Sequence, residues 1–288
     1  MPCQTVIMSE TPSFLRPFVL TPPARRHERV ANLDWYVPDG DVPRPAVVLV
    51  HGGPLPDDLH PGPRDWPVYR GYGCLLADLG VLAVAVEHRM RVVDGPQGPA
   101  TDCATAALDV AAAVDQVRAD PRVDGERIAL WFFSGGGLLS TDWLRDRPSW
   151  LRAVALTYPL LAPLPGWGVD PRFAPGVALG EPGGAVPPLL LTRVGRERKE
   201  MAETVAAFLD AAGDAGVRVE VIDVPDGQHG FDMLDHTDES RRAVEQAADW
   251  VARRPGSSPS RTAAAERYDT LLRHLGSGPV ATRASCRN

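Results

Sequence analysis

The chain has little cysteine: Cys3, Cys74, Cys103 and Cys286, scattered with no C-x-x-C pair. That spacing argues against a disulfide framework and fits small apolar fillers in a reducing compartment. It also lacks an excess of positive charge. Lys and Arg number 30 against 37 Asp and Glu, giving a net charge of −7 and a pI near 5.5. Binding to nucleic acid or to an anionic membrane wants a basic face, so neither partner is expected. No apolar run approaches the ~20 residues that span a bilayer. The opening MPCQTVIMSETPSFLRPF has no basic start followed by an apolar core, so no signal peptide is expected. No internal repeat is present. These absences together lead us to expect a cytoplasmic protein.

What the chain does have is an ordinary globular balance, 44% hydrophobic and 23% charged. Its 288 residues are enough to bury a large core without staples. Six short apolar runs read as strands: 45–50, 81–87, 127–133, 152–158, 189–194 and 217–224. Strands apolar on both faces belong to a parallel sheet covered by helices. Helical patterns lie between them at 102–119, with Asp102 as N-cap, and at 138–146, 199–215 and 236–253, the last ending before Pro255. Segments 29–37 and 16–21 read as edge strands that could pair antiparallel. The expected fold is α/β: a mainly parallel, doubly wound sheet flanked by helices. We expect one domain over residues 1–254, a flexible linker at 255–262, and a short amphipathic helix at 263–275 within a tail, 263–288, whose last dozen residues are disordered.

The chemistry begins at 130-LWFFSGGGLLS-140. A strand runs into Ser134 and three glycines, close to the G-x-S-x-G turn that lifts a serine hydroxyl above a sheet. Phe132 stands where the upstream glycine belongs, so Ser134 could be a nucleophile or only a serine in a turn. A phosphate cradle is the other use of such a junction, but no Lys follows to complete a P-loop. A second strand runs into 51-HGGPLP-56. Attack on a carbonyl builds an oxyanion that needs two aimed N–H donors. Gly135 would supply one; Gly53 or Leu55 would supply the other, since Pro54 has no N–H. A third segment, 225-PDGQHGFDM-233, places His229 between the last strand and the last large helix, with glycines on both sides. Histidine suits a general base because it titrates near neutrality. Glu197, in 195-GRERKEM-201, stands in the order Ser, acid, His that this arrangement needs; Glu200 and Asp170 are alternatives.

Taken together, VVLVHGGP, FFSGGG, LLLTRVGRE and DGQHGFD give the chain a resemblance to the α/β-hydrolase superfamily, most to its dienelactone-hydrolase-related esterase branch, over roughly residues 25–253. The resemblance implies a Ser134–Glu197–His229 triad and an oxyanion hole from Gly135 and the loop at Gly53. It implies cleavage of a small ester, lactone or thioester with no cofactor. The chain departs from the pattern at Phe132, in using glutamate as the acid, and in carrying serine where dienelactone hydrolases proper carry cysteine. Trp66, Tyr69, Phe133 and Trp167 are expected to wall a substrate pocket. The proline-rich insertion 159–188, carrying Leu161, Trp167 and Phe173, is expected to be a small lid. Metal ligation by His51, Asp57, Asp58 and His60 is not expected, for want of regular spacing. Arg89, Arg91 and Arg193 are expected to be solvated or paired with acids, with a substrate carboxylate clamp as the alternative. The partner expected is a small-molecule substrate, with a homodimer left open. Two rival readings stand: a cyclase, lyase or acyltransferase on the same scaffold, and a non-catalytic pseudo-hydrolase whose turn Phe132 has spoiled.

Overall fold

A computed structural model describes residues 11–95 and 98–256. The antiparallel strands β1 (Arg26–Val30) and β2 (Leu33–Val37) come first, followed by β3 (Arg44–Val50), which runs directly into the His-Gly-Gly loop. Then come α1 (Pro67–Asp78), β4 (Leu82–Val86), a hairpin of β5 (Val92–Gly95) and β6 (Gly98–Thr101), and α2 (Cys103–Ala119). The second half alternates β7 (Val123–Phe133), α3 (Thr141–Asp146), β8 (Leu151–Thr157), α4 (Pro175–Gly180), β9 (Leu189–Arg196), α5 (Lys199–Asp214) and β10 (Val219–Gln228). It closes with α6 (Phe231–Leu234) and α7 (Asp238–Gly256). Eight strands form one sheet in the order β1-β2-β4-β3-β7-β8-β9-β10. From β4 to β10 every pairing is parallel.

The side-chain period of two along a strand divides the core in two. Val48, Val50, Leu130 and Phe132 face one side, where Val110 and Val114 of α2 and Val205 and Phe208 of α5 cover them. Leu49, Trp131 and Phe133 face the other, under Tyr72 and Leu76 of α1 and Val244 and Val251 of α7. Both faces are covered, which is why these strands read as unbroken apolar runs. Asp102 caps α2, its side chain accepting from the Thr105 N–H at 2.9 Å. In α7, Asp238 and Glu239 sit in the first turn and Arg253 and Arg254 in the last, which complements the helix dipole.

Several boundaries differ from expectation. Residues 16–21 form no strand. The turn at Ser134 is a 3-10 helix, Ser134–Ser140, that leads into α3. Helix α7 continues through Pro255 instead of stopping before it. The contacts divide the chain after Pro255. The expected linker beyond Gly256 and helix 263–275 lie outside the described residues. Several elements had no clear sequence signal, the short helices α4 and α6 among them. Helix α1 carries Gly71 and Gly73, poor helix formers. They are there because a Cβ on Gly71 would overlap the Phe18 ring and one on Gly73 the Tyr36 ring. The β5–β6 hairpin was also unforeseen. Much of the 159–188 insertion is core: Leu161 and Phe173 are buried in the first core, with Trp167 half-buried at its border. Those apolar side chains face inward, so they anchor the insertion to the body instead of lining a lid.

Candidate active site

Ser134 sits at the C-terminal end of β7 with φ of +50°. That left-handed conformation is costly for a residue with a side chain and persists only where the surroundings enforce it. The enforcement is visible in the three glycines that follow. A Cβ on Gly135 would collide with the Gly53 carbonyl and one on Gly136 with the His51 carbonyl, while one on Gly137 would lie 2.6 Å from the Leu160 carbonyl. The turn is thus pressed between the loops after β3 and β8. The Ser134 carbonyl accepts from the Leu160 N–H at 2.9 Å, which ties it down from the β8 side. Gly136→Ala is expected to cost about 2–3 kcal/mol of stability, because the intruding methyl meets backbone that cannot rotate away. Urea denaturation of the variant would measure it.

Phe132 does not spoil this turn. It pairs with Val50 on β3 and Leu156 on β8, and its side chain is wholly buried in the first core. The space expected for a glycine is filled by ordinary strand packing.

His229 lies on the loop between β10 and α6, followed by Gly230 at φ +77°. Its Nε2 is 2.7 Å from Ser134 Oγ, and its Nδ1 is 2.6 Å from Glu197 Oε2. Glu197 follows β9, and its Oε1 accepts from the Arg198 N–H at 2.8 Å. Burial works against the charge on Glu197, but the hydrogen bond from His229, the His229 charge and Arg198 outweigh it and hold the carboxyl below its ordinary value. An ionised carboxylate can only accept, so the Nδ1 of His229 carries the proton and Nε2 is free to accept from the serine O–H. Glu197, and not either alternative, is the carboxylate that meets His229: Glu200 is exposed in the first turn of α5, and Asp170 is exposed beside Arg172. The three side chains come from the ends of β7, β9 and β10, at the carboxyl edge of the sheet where open α/β sheets bind their ligands.

The loop after β3 closes the site from the other side. A Cβ on Gly52 would stand 2.8 Å from Ser134 Cβ and 3.3 Å from Oγ, so this backbone lies against the serine. The Gly52 N–H donates to the Tyr69 hydroxyl at 3.3 Å, and the Leu55 N–H donates to the Met90 carbonyl at 3.1 Å. Both are engaged. Gly53 therefore stands ahead of Leu55 as the candidate second donor beside Gly135. Beneath the loop, His51 and His88 stack at 3.7 Å. His88 Nε2 donates to the His51 carbonyl at 2.9 Å, and His51 Nδ1 donates to the Gly52 carbonyl at 2.6 Å. Burial pushes His51 well down and His88 down to about 4, so both are neutral supports for the loop. Sequence reasoning missed His88 and Met90; their only signal is their place just after β4.

No protein-family model matches the chain, and no curated protein matches it in sequence. Solved structures do. The esterase of Pyrobaculum calidifontis in its monoclinic form superposes with a TM-score of 0.62 at 22% identity, covering 81% of this chain and 86% of that one. The apo form of Thermogutta terrifontis esterase 2 gives 0.60 at 20% identity, covering 84% and 98%. The same esterase phosphoramylated by tabun gives 0.59 at 21%, covering 81% and 96%. This chain has the α/β-hydrolase fold.

Within the α/β-hydrolase fold, the expected pocket wall needs correction. Phe133 is wholly buried in the second core among Tyr69, Tyr72, Trp131 and Tyr158, because β7 is covered on both faces. It offers no surface to a substrate. Trp66 is also buried, stacked between Phe14 and Tyr69, with Nε1 donating to the Pro61 carbonyl at 2.8 Å. Tyr69 is buried except that its hydroxyl reaches the Gly52 loop. Trp167 packs on the first core, its carbonyl accepting from the Thr101 N–H at 2.9 Å. Arg89 pairs with Asp109, Arg91 with Asp57, and Arg193 with Asp223. Among the described residues no group of three or more His, Cys, Asp or Glu side chains is placed to hold a metal, and no helix is long and apolar enough to cross a membrane.

Proposed function

We propose that the protein is a serine hydrolase that cleaves a carboxylic ester, lactone or thioester of a small molecule through an acyl-enzyme. The observation that carries this reading is the unbroken relay from Ser134 Oγ through His229 to Glu197, at 2.7 and 2.6 Å. Ser134 Oγ attacks the carbonyl carbon while its proton passes to His229 Nε2. The carbonyl oxygen becomes an oxyanion facing the N–H groups of Gly135 and Gly53. Glu197 holds the imidazole tautomer and stabilises the imidazolium. As the tetrahedral intermediate collapses, the proton on Nε2 goes to the departing oxygen or sulfur. Water, deprotonated by the same nitrogen, then attacks the acyl carbon; the acid leaves and Ser134 regains its proton. These steps use only the chain's own groups and call for no cofactor.

The similar structures are esterases, and Thermogutta terrifontis esterase 2 is among them with butyrate bound and with propionate bound. That supports short acyl esters as the first substrates to offer. The dienelactone-hydrolase-related branch rests on the four motifs of the sequence, and lactones belong in the same panel. The buried Phe132, packed as an ordinary strand residue, supports this reading over a pseudo-hydrolase with a spoiled turn. The test is hydrolysis of p-nitrophenyl butyrate, a lactone and a thioester by wild type and Ser134→Ala. Ser134-dependent turnover of any of them is the expected result. Turnover that persists in Ser134→Ala, or none by folded wild type across the panel, would overturn the reading.

A further inference from the structure

Beside the relay lies a second carboxyl group that the relay does not use. Asp232 is fully buried in α6, three residues after His229. The other carboxylate buried among the described residues, Asp34, is met by Arg29, Arg64 and His27. Asp232 is instead met by hydroxyls. Tyr158, just after β8, donates to Oδ1 or Oδ2 at 2.9 and 2.8 Å, and Tyr72 of α1 donates to Oδ2 at 3.0 Å. Its backbone carbonyl accepts from the Val19 N–H at 2.9 Å. The titratable groups that face it are Tyr72 and Tyr69 from α1, Tyr158, and His229.

Tyr158 links this carboxyl to the site. Its ring lies 4.8 Å from the His229 ring, tilted by 56°. Its backbone is left-handed, with φ of +38°, a strained conformation for an aromatic residue that must be held from outside. Two residues on, the Leu160 N–H grips the Ser134 carbonyl. The hydroxyl bonds to Asp232 therefore pin a strained residue that touches His229 and leads straight to the support of Ser134.

We propose that Asp232 is a positioning residue for this site: through Tyr158 it holds the His229 ring and the Ser134 turn, and its charge stands behind the imidazole when that ring takes up a proton. The charge part rests on the function proposed above.

The group is a poor choice for stability alone. Burial pushes its carboxyl up to about 6, even with two hydroxyl donors and His229 pulling the other way. For an acid raised above its ordinary value, the folded state favours the neutral form. Its contribution is full at low pH and is lost as pH rises through about 6, where a charge must be kept buried. Asp232→Asn has no charge to bury, so it is expected to fold. Its melting temperature should gain on wild type as pH is raised from about 4 to about 7.

The test compares full-length wild type, Asp232→Asn, Tyr158→Phe and Tyr72→Phe in p-nitrophenyl butyrate hydrolysis across pH. On its acid side wild-type kcat should carry an ionisation of Asp232 near pH 6 beside that of the base His229. Asp232→Asn should keep the limb that His229 imposes but lose the Asp232 part of the step, with kcat down about tenfold and KM within about twofold. Tyr158→Phe keeps the ring but removes a donor from the carboxylate, so the step should move to higher pH; Tyr72→Phe should move it the same way. A folded Asp232→Asn with wild-type kcat and an unchanged step would overturn the proposal. Proton NMR of the His229 Nδ1–H decides the positioning claim separately, even for a protein that hydrolyses no ester. One sharp low-field resonance in wild type should broaden or move in Asp232→Asn and Tyr158→Phe; no change in either would overturn the proposal. Absence of Ser134-dependent turnover together with the expected NMR change would sink the hydrolase reading and leave the positioning role standing.

Discussion

Ser134→Ala is expected to lower kcat for p-nitrophenyl butyrate by about 10⁴- to 10⁶-fold, with KM changed by no more than a few-fold. The oxygen that forms the acyl bond is gone, and no neighbour can replace it. Ser140 and Thr141 are buried, and their hydroxyls donate to the Gly137 and Leu138 carbonyls at 2.7 Å. What remains is the proposed pair of oxyanion donors, Gly135 and Gly53, which can still favour attack by water. The variant should fold as well as wild type. Alanine at φ +50° carries strain comparable to serine there, and the turn is held by the Leu160 N–H and not by the hydroxyl. Equal melting temperatures with unequal rates would assign the loss to chemistry.

Glu197→Gln should cost about 10³- to 10⁴-fold in kcat while leaving the fold intact. The substitution keeps the shape but replaces an acceptor by a group that can also donate. The Nδ1 of His229 now faces Glu197 Oε2 at 2.6 Å, which fixes the proton on Nδ1. An amide NH₂ in that place would favour the other tautomer, with the proton on Nε2. That nitrogen could then no longer accept from Ser134, 2.7 Å away. The charge that stabilises the imidazolium would be lost as well. Glu197 also sets the sign of one pH effect. Its carboxyl is held below its ordinary value, so it adds stability above the unfolded-state value that is lost as pH falls through the lowered one. Wild type should therefore lose more stability than Glu197→Gln on strong acidification, as thermal melts at a series of pH values would show.

The parallel sheet was legible because its strands are buried on both faces and so read as continuous apolar runs from Val47 to Leu191. The relay geometry was also close to hand. Ser134 and Glu197 follow runs of that kind, His229 follows the alternating edge strand β10, and parallel strands bring their ends to one edge. The choice of Glu197 over Glu200 came from order alone, and geometry now gives it a physical reason. Other features depend on pairings far apart in the chain. Gly71 and Gly73 look like helix breakers until Phe18 and Tyr36 are seen filling the space of their missing Cβ atoms. Phe133, expected to wall the pocket, adjoins Ser134 in sequence, but the strand period turns it into the second core. Asp232 had no signal of its own: it is one aspartate in a loop-and-helix segment, and its partner Tyr72 lies 160 residues away.

The account turns on whether Ser134 is an accessible, activated nucleophile. A fluorophosphonate probe tests that directly, read by intact mass and peptide mapping on wild type, Ser134→Ala and His229→Ala. One adduct on the peptide carrying Ser134, absent in Ser134→Ala and strongly reduced in His229→Ala, is the predicted result. A folded wild-type protein that takes up no probe, or takes it up at another residue, would contradict the account.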